Sequence, residues 1–151
     1  MLLVLDNLEH LLAAGDAPAF VAQLLAHAPR IKVIYHSDGA IAPFLSRFIE
    51  IGADVVHPLE PLPATDMAAL KREFGRRISF MGGIDIRKTM QGPEAGIVAE
   101  VRERIGQLAP GGGYILAPAN HLQADVPPQN LFRLYAAARE FGRYPLARAS
   151  V

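Results

Sequence analysis

Short apolar runs alternate with longer segments of helical periodicity along the chain. The runs contain many β-branched and aromatic residues and show no clean polar alternation, which is typical of strands buried on both faces of a parallel sheet. Each run ends at polar, proline or glycine residues that indicate a loop. The predicted strands are Met1–Leu5, Ile31–Tyr35, Asp54–His57, Ile78–Met81 and Tyr114–Ala117.

An amphipathic segment follows each predicted strand. Apolar side chains recur in these segments every three or four residues, which predicts helices that bury one face. Thr65 or Asp66 is predicted to cap the third helix, and Gly52 to end the second. The predicted helices are Ala17–Ala28, Ile41–Ile51, Asp66–Phe74, Pro93–Leu108 and Pro127–Phe141.

The strand–helix order predicts an α/β fold with a parallel sheet, organised as a single domain over residues 1–151. Each unit has about 25 to 35 residues, which suits right-handed crossover connections. Two architectures are compatible with such units: an open doubly wound sheet, or part of an eight-stranded barrel that normally takes about 250 residues. Both place functional side chains at the carboxyl ends of the strands.

Composition narrows the possible functions. The 151 residues include 15 basic and 15 acidic side chains, and this zero net charge argues against binding to nucleic acid or to an anionic membrane. The absence of cysteine excludes disulfides, thiolate metal sites and a cysteine nucleophile. No apolar stretch is long enough to span a bilayer, and the first residues lack the basic region of a signal peptide. We therefore expect a cytoplasmic protein.

Polar side chains collect where the predicted strands end. Because the carboxyl ends of parallel strands meet at one edge of a sheet, we expect these side chains to lie close together. Carboxylates and imidazoles in one place can transfer protons, bind a substrate by hydrogen bonds or hold a metal ion. The group comprises Asp6, Asn7, His36, Asp38, His57, Glu60, Asp85, Asn120 and His121.

The motif His36-Ser37-Asp38-Gly39 has two interpretations. The imidazole and the carboxylate leave the strand on the same side, so they could form an acid–base pair, bind a divalent metal or contact a substrate. Alternatively, Ser37 or Asp38 caps the helix that begins near Ile41, with Gly39 making the turn.

Later polar and glycine residues also have alternative roles. Gly82 and Gly83 either let a ligand approach the backbone or allow tight packing at a corner of the sheet. Asp125 is predicted to cap the final helix, whereas His121, at the mouth of the sheet, is a candidate for a functional role. No glycine-rich phosphate-binding motif is present, so nucleotide binding has no support.

Five motifs follow one another between about Ile31 and Pro145: KVIYHSDG, FIEIGADVVHPLEP, LKREFGRRISFMGGID, LAPGGGYILAPANHLQADVPPQN and YAAAREFGRYP. In this order and spacing they resemble the C-terminal part of the uroporphyrinogen decarboxylase family. That family has a (β/α)₈ barrel, so the resemblance implies a partial barrel of about five βα units. The first thirty residues also resemble the Walker-B region of regulatory ATPases, but without a Walker A motif ATP hydrolysis is not expected.

The resemblance implies a carboxy-lyase that decarboxylates an acidic tetrapyrrole or related substrate, of the haem-biosynthesis type, without a cofactor. In the family the principal carboxylate and arginine lie in the N-terminal half, which has no counterpart in this sequence. The family's late histidine usually lies one place earlier than His121. Together with the polar edge, the resemblance gives His36, Asp38 and His121 as candidate catalytic residues, and as candidate substrate-binding residues Asp6, Asn7, Gly82, Gly83, Asp85 and Asn120.

Two alternatives follow from the same resemblance. The methyltransferase branch of the family holds zinc with a His-x-Cys motif and a later cysteine, so only a site of nitrogen and oxygen ligands from His36, Asp38 and His121 is open to this chain. The other alternative is a non-catalytic half-barrel. Its unpaired sheet edges would pair with a second copy or with a complementary N-terminal half, so we expect a homo-oligomer or such a complex.

Overall fold

The computed structural model describes residues 1–6 and 17–146. In these ranges, five parallel strands form one sheet in the order β1-β2-β3-β4-β5. Every predicted strand is present, and each extends one to three residues beyond its predicted end, into the polar residues of the motif that follows. The strands are β1 (Leu2–Asp6), β2 (Lys32–His36), β3 (Val55–Leu59), β4 (Ser79–Ile84) and β5 (Tyr114–Pro118).

The predicted helices are also present, with one change. The segment predicted as a single helix from Ile41 opens with a 3₁₀ turn, Ala42–Phe44, that has a proline in its first two positions. Asp66 caps α3 as predicted, because its carboxylate accepts a hydrogen bond from Ala69 N at 2.9 Å. The helices are α1 (Ala17–His27), α2 (Leu45–Glu50), α3 (Met67–Phe74), α4 (Glu94–Leu108) and α5 (Pro128–Phe141). None of the helices within the described ranges has the length and apolarity needed to cross a membrane.

The structure confirms the predicted end of α2 but not the predicted start of α5. Gly52 has φ +92°, a conformation that favours glycine, and it follows the last turn of α2 as predicted. The predicted cap of α5 by Asp125 is wrong. The residue before that helix is Pro127, and no side chain caps it. The Asp125 carboxylate instead accepts a hydrogen bond from Gln91 Nε2 at 2.9 Å, which draws it away from the helix.

Strand order and curvature identify the sheet as part of a barrel. Each strand pairs with the next one in the sequence, without the reversal of order that a doubly wound sheet has. Right-handed crossovers then place the helices on one face of the sheet. Asn120, after β5, donates a hydrogen bond to Asp38, after β2, although two strands lie between them. Such a contact requires a strongly curved sheet, as in a (β/α)₈ barrel.

The hydrophobic core lies between the sheet and the helices. In its first part the Tyr35 and Phe48 rings stack with centroids 3.9 Å apart, and both side chains are buried. A second part joins α4 and α5 through Ile97, Val101 and Leu134. Because the helices are held on this face, the polar side chains on the opposite face stay accessible at the carboxyl edge.

Candidate active site

Three polar side chains lie at the same level on neighbouring strands. Asp6 pairs in register with His36, and His36 pairs with His57. Register partners project from the same face of a sheet, here the face opposite to the buried Tyr35. His36 Nδ1 lies 2.9 Å from His57 Nδ1, and His36 Nε2 lies 3.9 Å from Asp6 Oδ1. The strand ends thus carry a row of one carboxylate and two imidazoles.

The surroundings of His57 favour its neutral form. Burial lowers the pKa of His57 from its ordinary value, and the nearby His36 and His121 lower it further, while the Asp38 carboxylate opposes them. The contact between the two Nδ1 atoms requires a hydrogen on one of them and a free lone pair on the other. The contact therefore gives a direct path for a proton between the two rings.

Asp38 links the loop after β2 to the loop after β5. Asn120 Nδ2 donates to Asp38 Oδ1 at 3.1 Å, and Asn120 Oδ1 accepts a hydrogen bond from His121 N at 2.7 Å. The alternative that Ser37 or Asp38 caps the following helix is wrong. The capping position before the 3₁₀ turn is occupied by Ile41, and no side chain forms a capping hydrogen bond there. The carboxylate of Asp38 is thus held at the mouth of the curved sheet and not at a helix end.

A second set of charges lies beside this group. Glu60 Oε1 accepts a hydrogen bond from Gly39 N at 2.7 Å, and Glu60 Oε2 lies 3.6 Å from an Arg87 guanidinium nitrogen. Arg87 Nε is also 3.6 Å from Asp85 Oδ1. Gly39 has φ +87°, so it makes the turn expected of it. These contacts place Asp85 at the same edge and supply a cation there.

Gly82 and Gly83 have a clear packing role. Gly82 O accepts from the Tyr114 hydroxyl at 3.0 Å, and Gly83 O accepts from Arg104 Nε at 3.0 Å. Both glycines have positive φ, and a Cβ on Gly82 would lie 2.9 Å from Leu59 N. These contacts support the interpretation that Gly82 and Gly83 allow tight packing. Contact of either glycine with a substrate stays a prediction.

Most of the residues predicted from the sequence lie in one connected group. His57 is at its centre, although the sequence interpretation placed it at the polar edge without selecting it for the site. Strand register is the signal that identifies it, because it pairs with His36. Asn7 lies outside the described residues. The predicted residues that the structure brings together around His57 are Asp6, His36, Asp38, Asn120 and His121.

The metal-site alternative has little support in this geometry. In residues 1–6 and 17–146, no group of three or more histidine, cysteine, aspartate or glutamate side chains could hold a metal ion. His36, Asp38 and His121 therefore do not converge on a common point as metal ligands would.

Comparison with known proteins identifies the family. The sequence matches the family Uroporphyrinogen decarboxylase (URO-D) over residues 17–141. The chain belongs to the uroporphyrinogen decarboxylase family. This confirms the resemblance inferred from the motifs. The matched region begins in α1, before the Ile31 at which the motifs begin.

A solved structure supports the fold assignment within the uroporphyrinogen decarboxylase family. A methyltransferase from Methanosarcina mazei is similar with a TM-score of 0.64 and 25% sequence identity. The similarity covers 84% of this chain but 36% of that one, so the chain spans well under half of its length. No curated protein matches the chain. The predicted α/β partial barrel is thus confirmed, and the reaction is a separate question.

Proposed function

We propose that this member of the uroporphyrinogen decarboxylase family supplies the proton-transferring residues of an active site. That site decarboxylates an acidic tetrapyrrole or a related substrate. The observation that carries the proposal is the 2.9 Å contact between His36 Nδ1 and His57 Nδ1, at the level of Asp6 and beside Asp38. Two imidazoles in contact can supply and take back protons near neutral pH. The proposal includes a cytoplasmic location and a reaction without a cofactor.

The proposed chemistry uses one proton in each turnover. Protonation of the pyrrole ring prepares it to receive electrons. The bond between the side-chain methylene and its carboxylate then breaks, carbon dioxide leaves, and the bonding pair moves into the protonated ring. The methylene carbon takes up a proton to become a methyl group, and the ring releases the proton that it gained. We assign the giving and accepting of these protons to His36 and His57, and their contact supports this assignment.

At this edge of the sheet, the substrate would be recognised by hydrogen-bond acceptors that bind its N–H groups. The Asp6 carboxylate lies 3.9 Å from His36 Nε2, and the Asp38 carboxylate acts electrostatically on His57; both can accept hydrogen bonds from pyrrole N–H donors. Asp85 and Asn120 extend the polar surface around them. Arg87 is a cation at this edge, and it already contacts two carboxylates. Most substrate carboxylates would therefore be bound by the part of a full barrel that this chain does not contain.

We propose that further strands cover the face of the sheet opposite the helices. Leu2, Val4 and Ile115 project from that face by register and are 58%, 55% and 45% exposed. A full barrel buries such side chains in its interior. The strands would come from a second copy or from a complementary N-terminal half. Sedimentation of the purified chain tests this: a stable monomer that stays monomeric when mixed with such a half would contradict it.

The activity is tested with uroporphyrinogen under anaerobic conditions. The products are oxidised and separated by the number of carboxylates they retain, and carbon dioxide is measured in parallel. We expect His36→Gln and His57→Gln to lower turnover by about a hundredfold or more, which is the usual contribution of a general acid or base. His27→Gln is the matched control, because His27 is exposed and bonds to its own helix through Gln23 O. Turnover of His36→Gln equal to the unsubstituted chain would refute the assignment.

Methyl transfer is a second candidate, favoured by the likeness to the methyltransferase from Methanosarcina mazei. Such a reaction in this family would need a metal site built without cysteine. His36 and Asp38 form no three-ligand group within the described residues, so the remaining ligands would have to come from the strands that complete the barrel. Elemental analysis of the purified chain and thermal shifts with divalent ions test it. Absence of bound metal together with unchanged melting would exclude this candidate and leave the decarboxylase proposal standing.

A further inference from the structure

A cavity of about 550 Å³ lies between α3 and α4 at the opposite end of the sheet from the candidate site. The last turns of both helices and the loops that lead into β4 and β5 surround it. Its volume is within the range of small-molecule sites in proteins. Part of this space exists because Gly106 and Gly111 line it, and a Cβ on either glycine would meet no atom within 4 Å.

The charged side chains that line the cavity are all cations. They are Lys71, Arg72 and Arg76, and no carboxylate lies in the wall. Lys71 Nζ donates to Gly112 O, which fixes it beside the cavity, and burial lowers the pKa of Lys71. In the described part of the chain, neither Arg72 nor Arg76 forms an ion pair.

The acids of these two helices do not neutralise the cavity. Glu103 accepts hydrogen bonds from Arg104 Nη1 at 2.7 Å and from Gln107 Nε2 at 3.0 Å, so it is already paired. Glu73 is exposed and is not part of the wall.

Stabilisation of the helix ends explains only part of this charge. A helix C-terminus carries about half a negative charge, so the ends of α3 and α4 contribute roughly one negative charge between them. The three cations leave a net charge of roughly +2 at the cavity after that is subtracted. Arginine side chains without carboxylate partners bind phosphate and carboxylate groups in a bidentate manner.

We propose that this cavity binds a small, multiply charged anion that carries phosphate groups or several carboxylates. Arg72 and Arg76 lie four residues apart on one side of α3 and its following turn, and both residues line the same cavity. Lys71 supplies a third positive charge from the wall. The site is separate from the carboxyl edge of the sheet, and its existence does not depend on the function proposed for that edge.

Isothermal titration of the full chain with pyrophosphate and with citrate tests the proposal. We expect saturable binding of at least one of these anions at millimolar concentration or below, and the tighter of the two identifies the chemical class. Arg72→Gln/Arg76→Gln should weaken that binding by about tenfold or more, since each arginine contributes charge-assisted hydrogen bonds. Gly106→Leu should weaken it as well, because the new side chain enters the cavity without changing the charge.

The control variant is Arg47→Gln/Arg139→Gln, which removes the same charge from α2 and α5. Its affinity should match that of the unsubstituted chain. The proposal is overturned if neither anion binds, or if the Arg72 and Arg76 double variant binds as tightly as the control. Binding that is equally weakened in both double variants would also overturn it, because it would show an effect of overall charge and not a site.

Discussion

Replacing His57 should make the stability of the fold less sensitive to acid. The His36 and His57 rings have centroids 5.0 Å apart and share a contact between their Nδ1 atoms. When both rings are protonated, this hydrogen bond is lost and two positive charges face each other. The folded chain should therefore take up fewer protons than the unfolded chain, in which the two histidines titrate independently.

The magnitude follows from the geometry. Two unit charges 5.0 Å apart repel by about 3 kcal/mol at an effective dielectric constant of about 20. At about pH 5.5, one unit below the ordinary pKa of 6.5, a histidine whose pKa is lowered in the folded chain costs at most about 1.4 kcal/mol of unfolding free energy. The repulsion is larger than this amount, so it is sufficient to produce the effect.

The sign of the effect is fixed by the direction of the shift. The pKa of His57 is lower in the folded chain than its ordinary value of 6.5, so the unfolded chain binds more protons between the two values. The stability that His57 contributes is complete above pH 6.5 and is lost as the pH falls through the pKa of the folded state. Asp38 limits the effect, because its carboxylate favours the charged imidazole.

Urea unfolding at about pH 7.5 and at about pH 5.5 measures the difference. Between these values the unsubstituted chain should lose about 1 kcal/mol more stability than His57→Gln does. His27→Gln removes an exposed histidine of α1 and should keep the pH dependence of the unsubstituted chain. An identical loss in the unsubstituted chain and in His57→Gln would show that the pair does not exclude a proton, and would refute this reasoning.

Two further substitutions test the scaffold. Asn130→Ala should lower the free energy of unfolding by about 2–4 kcal/mol, because the buried Asn130 amide donates to two main-chain carbonyls at 2.9 Å that would lose their partner. Asn120→Ala is the control in urea unfolding, because that half-buried amide makes its hydrogen bonds in solvent-exposed positions; equal effects would contradict the burial argument. Gly106→Ala should raise the melting temperature, because alanine in a helix interior is favoured by about 0.5–1 kcal/mol and its Cβ meets no atom here. A lower melting temperature would contradict this prediction, because it would show that other atoms pack against Gly106 and leave no room for a Cβ.

The fold could be predicted because periodicity and turn signals agree along the chain. The apolar runs specify the strands and Asp66 specifies the start of α3, both through local interactions that the sequence displays directly. Asp125 shows where local reasoning fails. It has the residue type and position of a helix cap, yet its carboxylate bonds to Gln91, which is 34 residues away in the sequence. Such a long-range competitor leaves no local signal.

The site could be predicted in composition but not in geometry. Polar residues at strand ends indicated one edge of the sheet, and the order of the strands brings those residues together there. The central place of His57 depends on its pairing with His36, and parallel register is not encoded within either strand alone. The contact between Asp38 and Asn120 depends on the curvature of the whole sheet. Both are tertiary properties, so a pattern along the sequence could name the residues without placing them.

The two ends of the sheet have opposite chemistry, although the formal charge of the chain is zero. Carboxylates dominate the carboxyl edge around His36 and His57, while Lys71, Arg72 and Arg76 surround the cavity at the other end. Under the decarboxylase proposal, a substrate rich in carboxylates would be repelled by the first of these surfaces, while its N–H groups would find acceptors there. Its carboxylates would then need cations on barrel strands other than these five. The charge distribution therefore supports the proposal that this edge serves proton transfer and N–H recognition, and that carboxylate recognition belongs to the strands that would complete the barrel.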